Sequence, residues 1–230
     1  MRRQNRVRFF PVLILLLVYL LVIDLGHGRK AYGGCYDEAS LTYDFPQRDR
    51  LFESLEQVSP KSKWGPHARR YPPVEVPPGC DPVKWLRLRA IATAKRYIGL
   101  PYSHHHVPDW QPGTGAGSGL DCSNFTAWVF NYGLGIKFTG NIHKQSDGPL
   151  APGRRLPEGE SLKPGDLLFI MKGDRSQVSH VVIFIDDSYI IDDTGGGVQV
   201  RPFAGWYKTH FSHARRRATA FQVRAAGIHA

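Results

Sequence analysis

The apolar residues of this chain change their periodicity once, and that change limits the fold more than any other feature. Before about residue 135 they recur at helical spacing; after Leu162 they come in short, β-branched runs. Asp81 and Pro82 start a helix whose apolar stripe is Val83, Leu86, Ala90, Ile91, Ala94 and Ile98, and Gly99 and Pro101 stop it. A polar, glycine-rich loop follows, L-P-Y-S-H-H-H-V-P-D-W-Q-P-G-T-G-A-G-S-G-L. From Ser123 a second helical pattern places Phe125, Trp128, Val129 and Tyr132 on one buried side, with Gly133 and Gly135 ending it. Beyond Leu162, L-K-P-G-D-L-L-F-I is a tight turn feeding a strand and S-H-V-V-I-F-I is a second strand. D-D-S turns the chain into a third strand over residues 188–192, G-G-G-V-Q-V continues the sheet, and A-F-Q-V-R-A adds a last strand. Helices first and antiparallel strands afterwards make an α+β domain. No internal repeat and no Rossmann or P-loop glycine signature interrupts that order.

The remaining segments differ in character. Residues 1–30 put Arg2, Arg3, Arg6 and Arg8 ahead of the uninterrupted apolar run F-F-P-V-L-I-L-L-L-V-Y-L-L-V-I. A basic flank before such a run reads as an export signal, either cleaved or kept as an N-terminal membrane anchor. Its apolar length falls short of the ~20 residues of an ordinary spanning helix. Both readings place the body outside the cytoplasm, in the periplasm or cell envelope, with membrane association through this segment in the second. Residues 31–80 form a proline-rich extension with little apolar period, and residues 81–230 form the main domain. The formal net charge is +10. No nucleic-acid motif accompanies it, so the basic excess fits anionic lipid, wall polymer or simple solvation. The Arg215–Arg217 cluster reads as a solvated surface.

Three cysteines are present, and an oxidising compartment makes an odd number informative. Cys35 and Cys80 flank the proline-rich extension, where a disulfide would staple a segment that lacks a strong core; the alternative is two separate thiols. In either case Cys122 is the thiol left over. It stands in G-S-G-L-D-C-S-N-F, where a glycine-rich loop gives way to a helix. A helix N-terminus presents unpaired N–H groups and positive potential, which favour thiolate. His180 opens a strand from which an imidazole can face that helix. Asp192, on the next strand of the hairpin, can fix the imidazole tautomer. Asp193, its neighbour, faces the other way.

P-Y in the loop, G-L-D-C-S-N-F, L-K-P-G-D-L-L-F, S-H-V-V-I-F and Y-I-I-D-D-T-G-G-G-V occur in an order and spacing that resemble the NlpC/P60 family of cysteine peptidases, over roughly residues 85–221. The resemblance implies a papain-like α+β fold, helices packed against an antiparallel sheet. It implies hydrolysis of an amide in bacterial cell-wall stem peptides, such as a γ-D-glutamyl-diamino acid bond, with no metal and no cofactor. It assigns Cys122 as nucleophile, His180 as base and Asp192 as the third polar residue. Tyr102 becomes a pocket residue near the oxyanion, with Ser123 beside it. The chain departs from the family pattern in three places: Asn124 replaces the glycine of D-C-S-G, Asp192 stands where His, Asn or Gln is usual, and S-H-H-H-V-P-D-W replaces a W-G-G-like element.

That loop makes His104, His105, His106 and Trp110 candidates for substrate contact. Three consecutive histidines do not supply metal geometry by spacing alone. Asp121 reads as a helix cap and Asp166 as part of a P-G-D turn. Two rival functions keep the same residues: acyl transfer or hydrolysis of a small amide or lipid ester, and a noncatalytic wall-binding scaffold. The sequence leaves the oligomeric state open.

Overall fold

The computed structural model describes residues 34–51, 69–104 and 119–217, which belong to one compact unit. The export or anchor segment at residues 1–30 and the last expected strand lie outside these residues. Among the described residues no helix is long and apolar enough to cross a membrane.

Two short helices come first, α1 (Glu38–Thr42) and α2 (Phe45–Arg50). The segment expected to be an irregular extension therefore joins the core, burying Leu41, Phe45, Tyr71 and Val74. Cys35 and Cys80 form a disulfide, with Cα atoms 5.4 Å apart, that closes this segment. Helix α3 (Pro82–Arg96) begins as the sequence dictates: Asp81 accepts from the Lys84 N–H at 2.9 Å, and Pro82 takes the first turn, where no N–H partner is needed. Its buried face is Trp85, Leu86, Arg89, Ala90, Ile91 and Ala94. Ile98, expected on that stripe, lies beyond the helix and is exposed.

Helix α4 (Cys122–Leu134) buries every one of its residues, not only the expected stripe. A helix buried on all sides is an interior helix, and α4 lies between α3 and the sheet. Its two glycines have separate tasks. A Cβ on Gly133 would stand 2.4 Å from Thr93 Oγ1, so glycine permits the close crossing with α3. Gly135 takes the left-handed conformation (φ 73°) that ends the helix. Helix α5 (Ile142–Ser146) follows.

Six strands form one antiparallel sheet in the order β1-β6-β2-β3-β4-β5: β1 (Arg154–Arg155), β2 (Leu167–Met171), β3 (Val178–Phe184), β4 (Tyr189–Thr194), β5 (Gly197–Pro202) and β6 (Phe211–Arg216). A short helix, α6 (Trp206–Thr209), precedes β6. One face of the sheet, with Leu167, Phe169, Val181, Ile183, Ile191 and Val198, packs on the helices. The other buries Leu168, Ile170, Val182, Phe184 and Ile190 under Phe203, Tyr207 and Phe211. The arrangement is α+β and papain-like.

β6 overturns the solvated reading of the arginine cluster for Arg215 and Arg216, which are buried. Interior position leaves their guanidinium groups viable only with partners. Arg216 pairs with Asp166 and Glu160, and Arg215 donates to the Pro152, Ser146 and Gly153 carbonyls. Asp166 also accepts from the Lys163 N–H at 2.8 Å, so the P-G-D turn doubles as the anchor for β6.

Candidate active site

The site forms where α4 begins and the sheet opens. Asp121 caps α4 by accepting from the Asn124 N–H at 2.8 Å, which leaves Cys122 and Ser123 as first-turn N–H donors. Residues 139–141 and helix α5 fix this turn from outside. Gln145 donates to the carbonyls of Ser123 (2.6 Å) and Thr139 (2.7 Å) and accepts from Thr126. Asn124, larger than the glycine of the family pattern, is accommodated by Gly140, where a Cβ would stand 1.9 Å from Asn124 Oδ1. The Ser123 hydroxyl meets the Gly140 carbonyl at 2.6 Å and Asp121 Oδ1 at 3.1 Å. Its side chain is thus bound into the turn.

β3 and β4 pair only at Ile183–Ile191 and Phe184–Ile190. Pairing stops short of His180 and Asp192, whose side chains meet across the resulting fork. His180 Nε2 lies 2.7 Å from Asp192 Oδ2, and Cys122 is close enough to the imidazole to raise its pKa. Asp192 thus occupies Nε2 and leaves Nδ1 for the thiol. Burial opposes a charge on His180, but the hydrogen bonds to Asp192 and Cys122 and their negative charges outweigh it, raising its pKa to about 9.

Two residues not singled out in the sequence complete the surroundings of Asp192. Arg201 Nε donates to Asp192 Oδ1 at 2.8 Å, and the Tyr207 hydroxyl donates to Oδ2 at 2.7 Å. Arg201 carried a legible signal: β5 pairs Gln199 with Asp192, so Arg201 is the same-face diagonal neighbour. Tyr207 carried none, because its position depends on α6 and the backbone turn at Gly205.

Tyr102 is partly exposed, joined to Leu120 through a parallel bridge, and its pKa is raised by burial and then by negative charge on Cys122, Asp121 and Asp193. It therefore borders the nucleophile. His104 is exposed, with Nδ1 3.7 Å from Asp121 Oδ2. His105, His106 and Trp110 lie outside the described residues. Asp193 is buried, and neither carboxylate oxygen has a hydrogen-bond partner among the described residues. Among those residues no group of three or more His, Cys, Asp or Glu is placed to hold a metal ion.

Residues 107–217 match the model of the NlpC/P60 family. A curated relative from Listeria grayi, named "Probable endopeptidase p60", is 35% identical over 109 residues, which are 47% of this chain and 18% of the relative. The chain thus spans less than a fifth of that protein's length. Solved structures with a similar arrangement include an NlpC/P60 family protein from Bacillus cereus (28% identity, TM-score 0.45, covering 56% of this chain and 39% of that one). Another is the peptidoglycan hydrolase RipB from Mycobacterium tuberculosis (21% identity, TM-score 0.46, covering 86% and 90%). With its D-C-S-N turn opening α4 and its S-H-V-V-I-F strand beside it, this chain belongs to the NlpC/P60 family through the domain at residues 107–217.

Proposed function

We propose that the protein is an exported cysteine peptidase that hydrolyses an amide bond in peptidoglycan stem peptides, the γ-D-glutamyl-diamino acid bond being the first candidate. The observation that carries this reading is His180, held by Asp192 at 2.7 Å and close enough to Cys122 for the two to interact, with Cys122 opening a buried helix. His180 has the proton affinity to take the Cys122 proton through Nδ1, while Asp192 holds Nε2 and the imidazolium that forms. The thiolate attacks the scissile carbonyl. The Cys122 N–H, assisted by Tyr102, stabilises the oxyanion. His180 then gives its proton to the departing amine, and a water activated by the same imidazole cleaves the acyl-enzyme.

Digestion of defined muropeptides, followed by mass spectrometry of the products, tests this directly. The native protein is expected to cut one stem-peptide bond and Cys122→Ala none. Intact stem peptides of every type after incubation with folded native protein would overturn it.

A further inference from the structure

Asp192 and Asp193 are adjacent, fully buried carboxyl groups with opposite surroundings. Asp192, on the face of β4 shared with Ile190, is met by His180, Arg201 and Tyr207. Asp193 lies on the face shared with Ile191, towards the helices. Its strand partner is Val198, whose N–H donates to the Leu100 carbonyl at 2.9 Å and whose carbonyl accepts from the Gly99 N–H at 3.0 Å. Two residues on, Tyr102 is bridged to Leu120, directly ahead of Asp121 and Cys122. The Asp193 carboxyl is thus enclosed by β4, β5, the 99–102 loop and the start of α4. The charged and titratable groups around it are Asp192 on its own strand, His180 from β3, Arg201 from β5, Asp121 and Cys122 from α4, and Tyr102 from the loop. Arg201 does not pair with it: its donors go to Asp192, the Thr194 hydroxyl and the Gly197 carbonyl.

We propose that Asp193, fully buried with both carboxyl oxygens unpaired among the described residues, works in the catalytic centre as an uncharged acid, and that its deprotonation shuts the site down at alkaline pH. The proposal deepens the cysteine-hydrolase reading and rests on it. A carboxylate there would be a third negative charge beside Asp192 and Asp121, next to Tyr102, where the tetrahedral intermediate places a further one. A neutral carboxyl occupies the same space without that repulsion. Burial, followed by the charges of Asp192 and Asp121, raises the pKa of Asp193 to about 9, with His180 and Arg201 opposing. The folded protein therefore holds this proton between the ordinary 3.8 and about 9, and the unfolded chain does not. Stability must fall as pH rises through that window.

The test combines spectroscopy that needs no substrate with turnover. In the full protein labelled at aspartate carboxyl carbons, one resonance should titrate near pH 9, far above the others, and be missing in Asp193→Asn. The His180 ring, followed by nitrogen NMR, should titrate in two coupled steps in the native protein and in one step in the variant. On a defined stem peptide the ratio of the rate near pH 10 to the rate at neutral pH should be several-fold higher for Asp193→Asn than for the native protein. Asp193→Ala serves the same comparisons if the asparagine variant does not fold. An Asp193 resonance that titrates below pH 5, or a His180 titration unchanged by the substitution, overturns the proposal. Absence of any stem-peptide cleavage by the native protein would overturn the proposed function instead, while the two NMR titrations still decide the state of Asp193 and its coupling to His180.

Discussion

The two ends of α4 handle the same problem in opposite ways. At the C-terminal end, the carbonyls of Tyr132, Gly133 and Gly135 accept from Arg48, Arg89 and Arg70, all supplied by residues 34–96. Arg89 is also tied to Asp44 and the Leu41 carbonyl, and Arg48 to Asp44 and the Pro72 carbonyl. Guanidinium groups at the negative end of the helix complement its dipole as well as its unpaired carbonyls. At the N-terminal end a single carboxylate, Asp121, takes one N–H, and the thiol of Cys122 stands in the positive potential that remains. The closed end fixes the helix, and the open end keeps unspent polarity for chemistry. Substitutions at the two ends should therefore separate turnover from stability.

The largest effect is expected from Cys122→Ala. Turnover of a stem peptide should drop by at least about 10⁴-fold, while stability changes by less than about 1 kcal/mol, because only a sulfur atom is lost from a nearly buried site. Residual turnover within tenfold of native would remove the nucleophile from the open end. Arg89→Met tests the closed end. It strips donors from the Leu41 and Gly133 carbonyls and one of two arginine partners from half-buried Asp44, so about 2–4 kcal/mol of stability should go, with a Tm roughly 10 °C lower. Single-turnover rates of the fraction still folded should change little. An unaltered Tm would show that the arginines at this end are incidental.

Asp192→Asn is next, with a rate loss of about 100-fold at neutral pH. Burial alone lowers the pKa of His180, and the bond to Asp192 is the leading opposing influence. Without the carboxylate, His180 should lose its proton at lower pH, and the alkaline limb of the rate profile should move down from about 9. Asp193→Asn at neutral pH should cost far less. Equal losses in the two variants would erase the distinction between the two faces of β4.

How much of this was legible depends on how local each determinant is. The open end of α4 was legible because Asp121 and Cys122 follow a glycine-rich loop and precede an apolar run, all within one turn. The strands were legible because period two and the D-D-S turn are local as well. The closed end was not. Its contacts join residues 44 to 84 positions apart, between arginines (Arg48 and Arg70 from a segment with no apolar period, Arg89 from α3) and backbone carbonyls that carry no sequence signal. β6 hid for a related reason: F-S-H-A-R-R is basic, and its arginines are buried only because Asp166 and free carbonyls await them. That Asp192 and Asp193 lie on opposite faces followed from strand alternation, but that the Asp193 face is the one towards the helices did not. The burial of Asp193 depended on how the 99–102 loop closes over β5, which no local pattern specifies.

The smallest effect, and the one whose sign is most informative, is expected from Tyr207→Phe. The Tyr207 hydroxyl donates to Asp192 Oδ2, the same oxygen that meets His180, while Arg201 holds Oδ1. Burial, then the charge of Asp192, raises the pKa of Tyr207, so this hydroxyl keeps its proton and remains a donor. Phenylalanine retains the ring, whose centroid lies 6.1 Å from that of His180, and removes only the donor. One hydrogen bond to a carboxylate contributes about 1.5–3 kcal/mol, but His180 and Arg201 still hold Asp192, so only part of it should reach the rate, a fall of no more than about tenfold. The pH profile then separates two roles. If Tyr207 shares Oδ2 with His180, its loss leaves that oxygen a stronger acceptor, and the alkaline limb should move up. If Tyr207 instead holds Asp192 in place, the carboxylate should drift from His180 and the limb should move down, as in Asp192→Asn. Arg201 already anchors the other oxygen, so the upward shift is the expected outcome. A downward shift would make the hydroxyl, and not the guanidinium, the group that keeps Asp192 in line with the open end of α4.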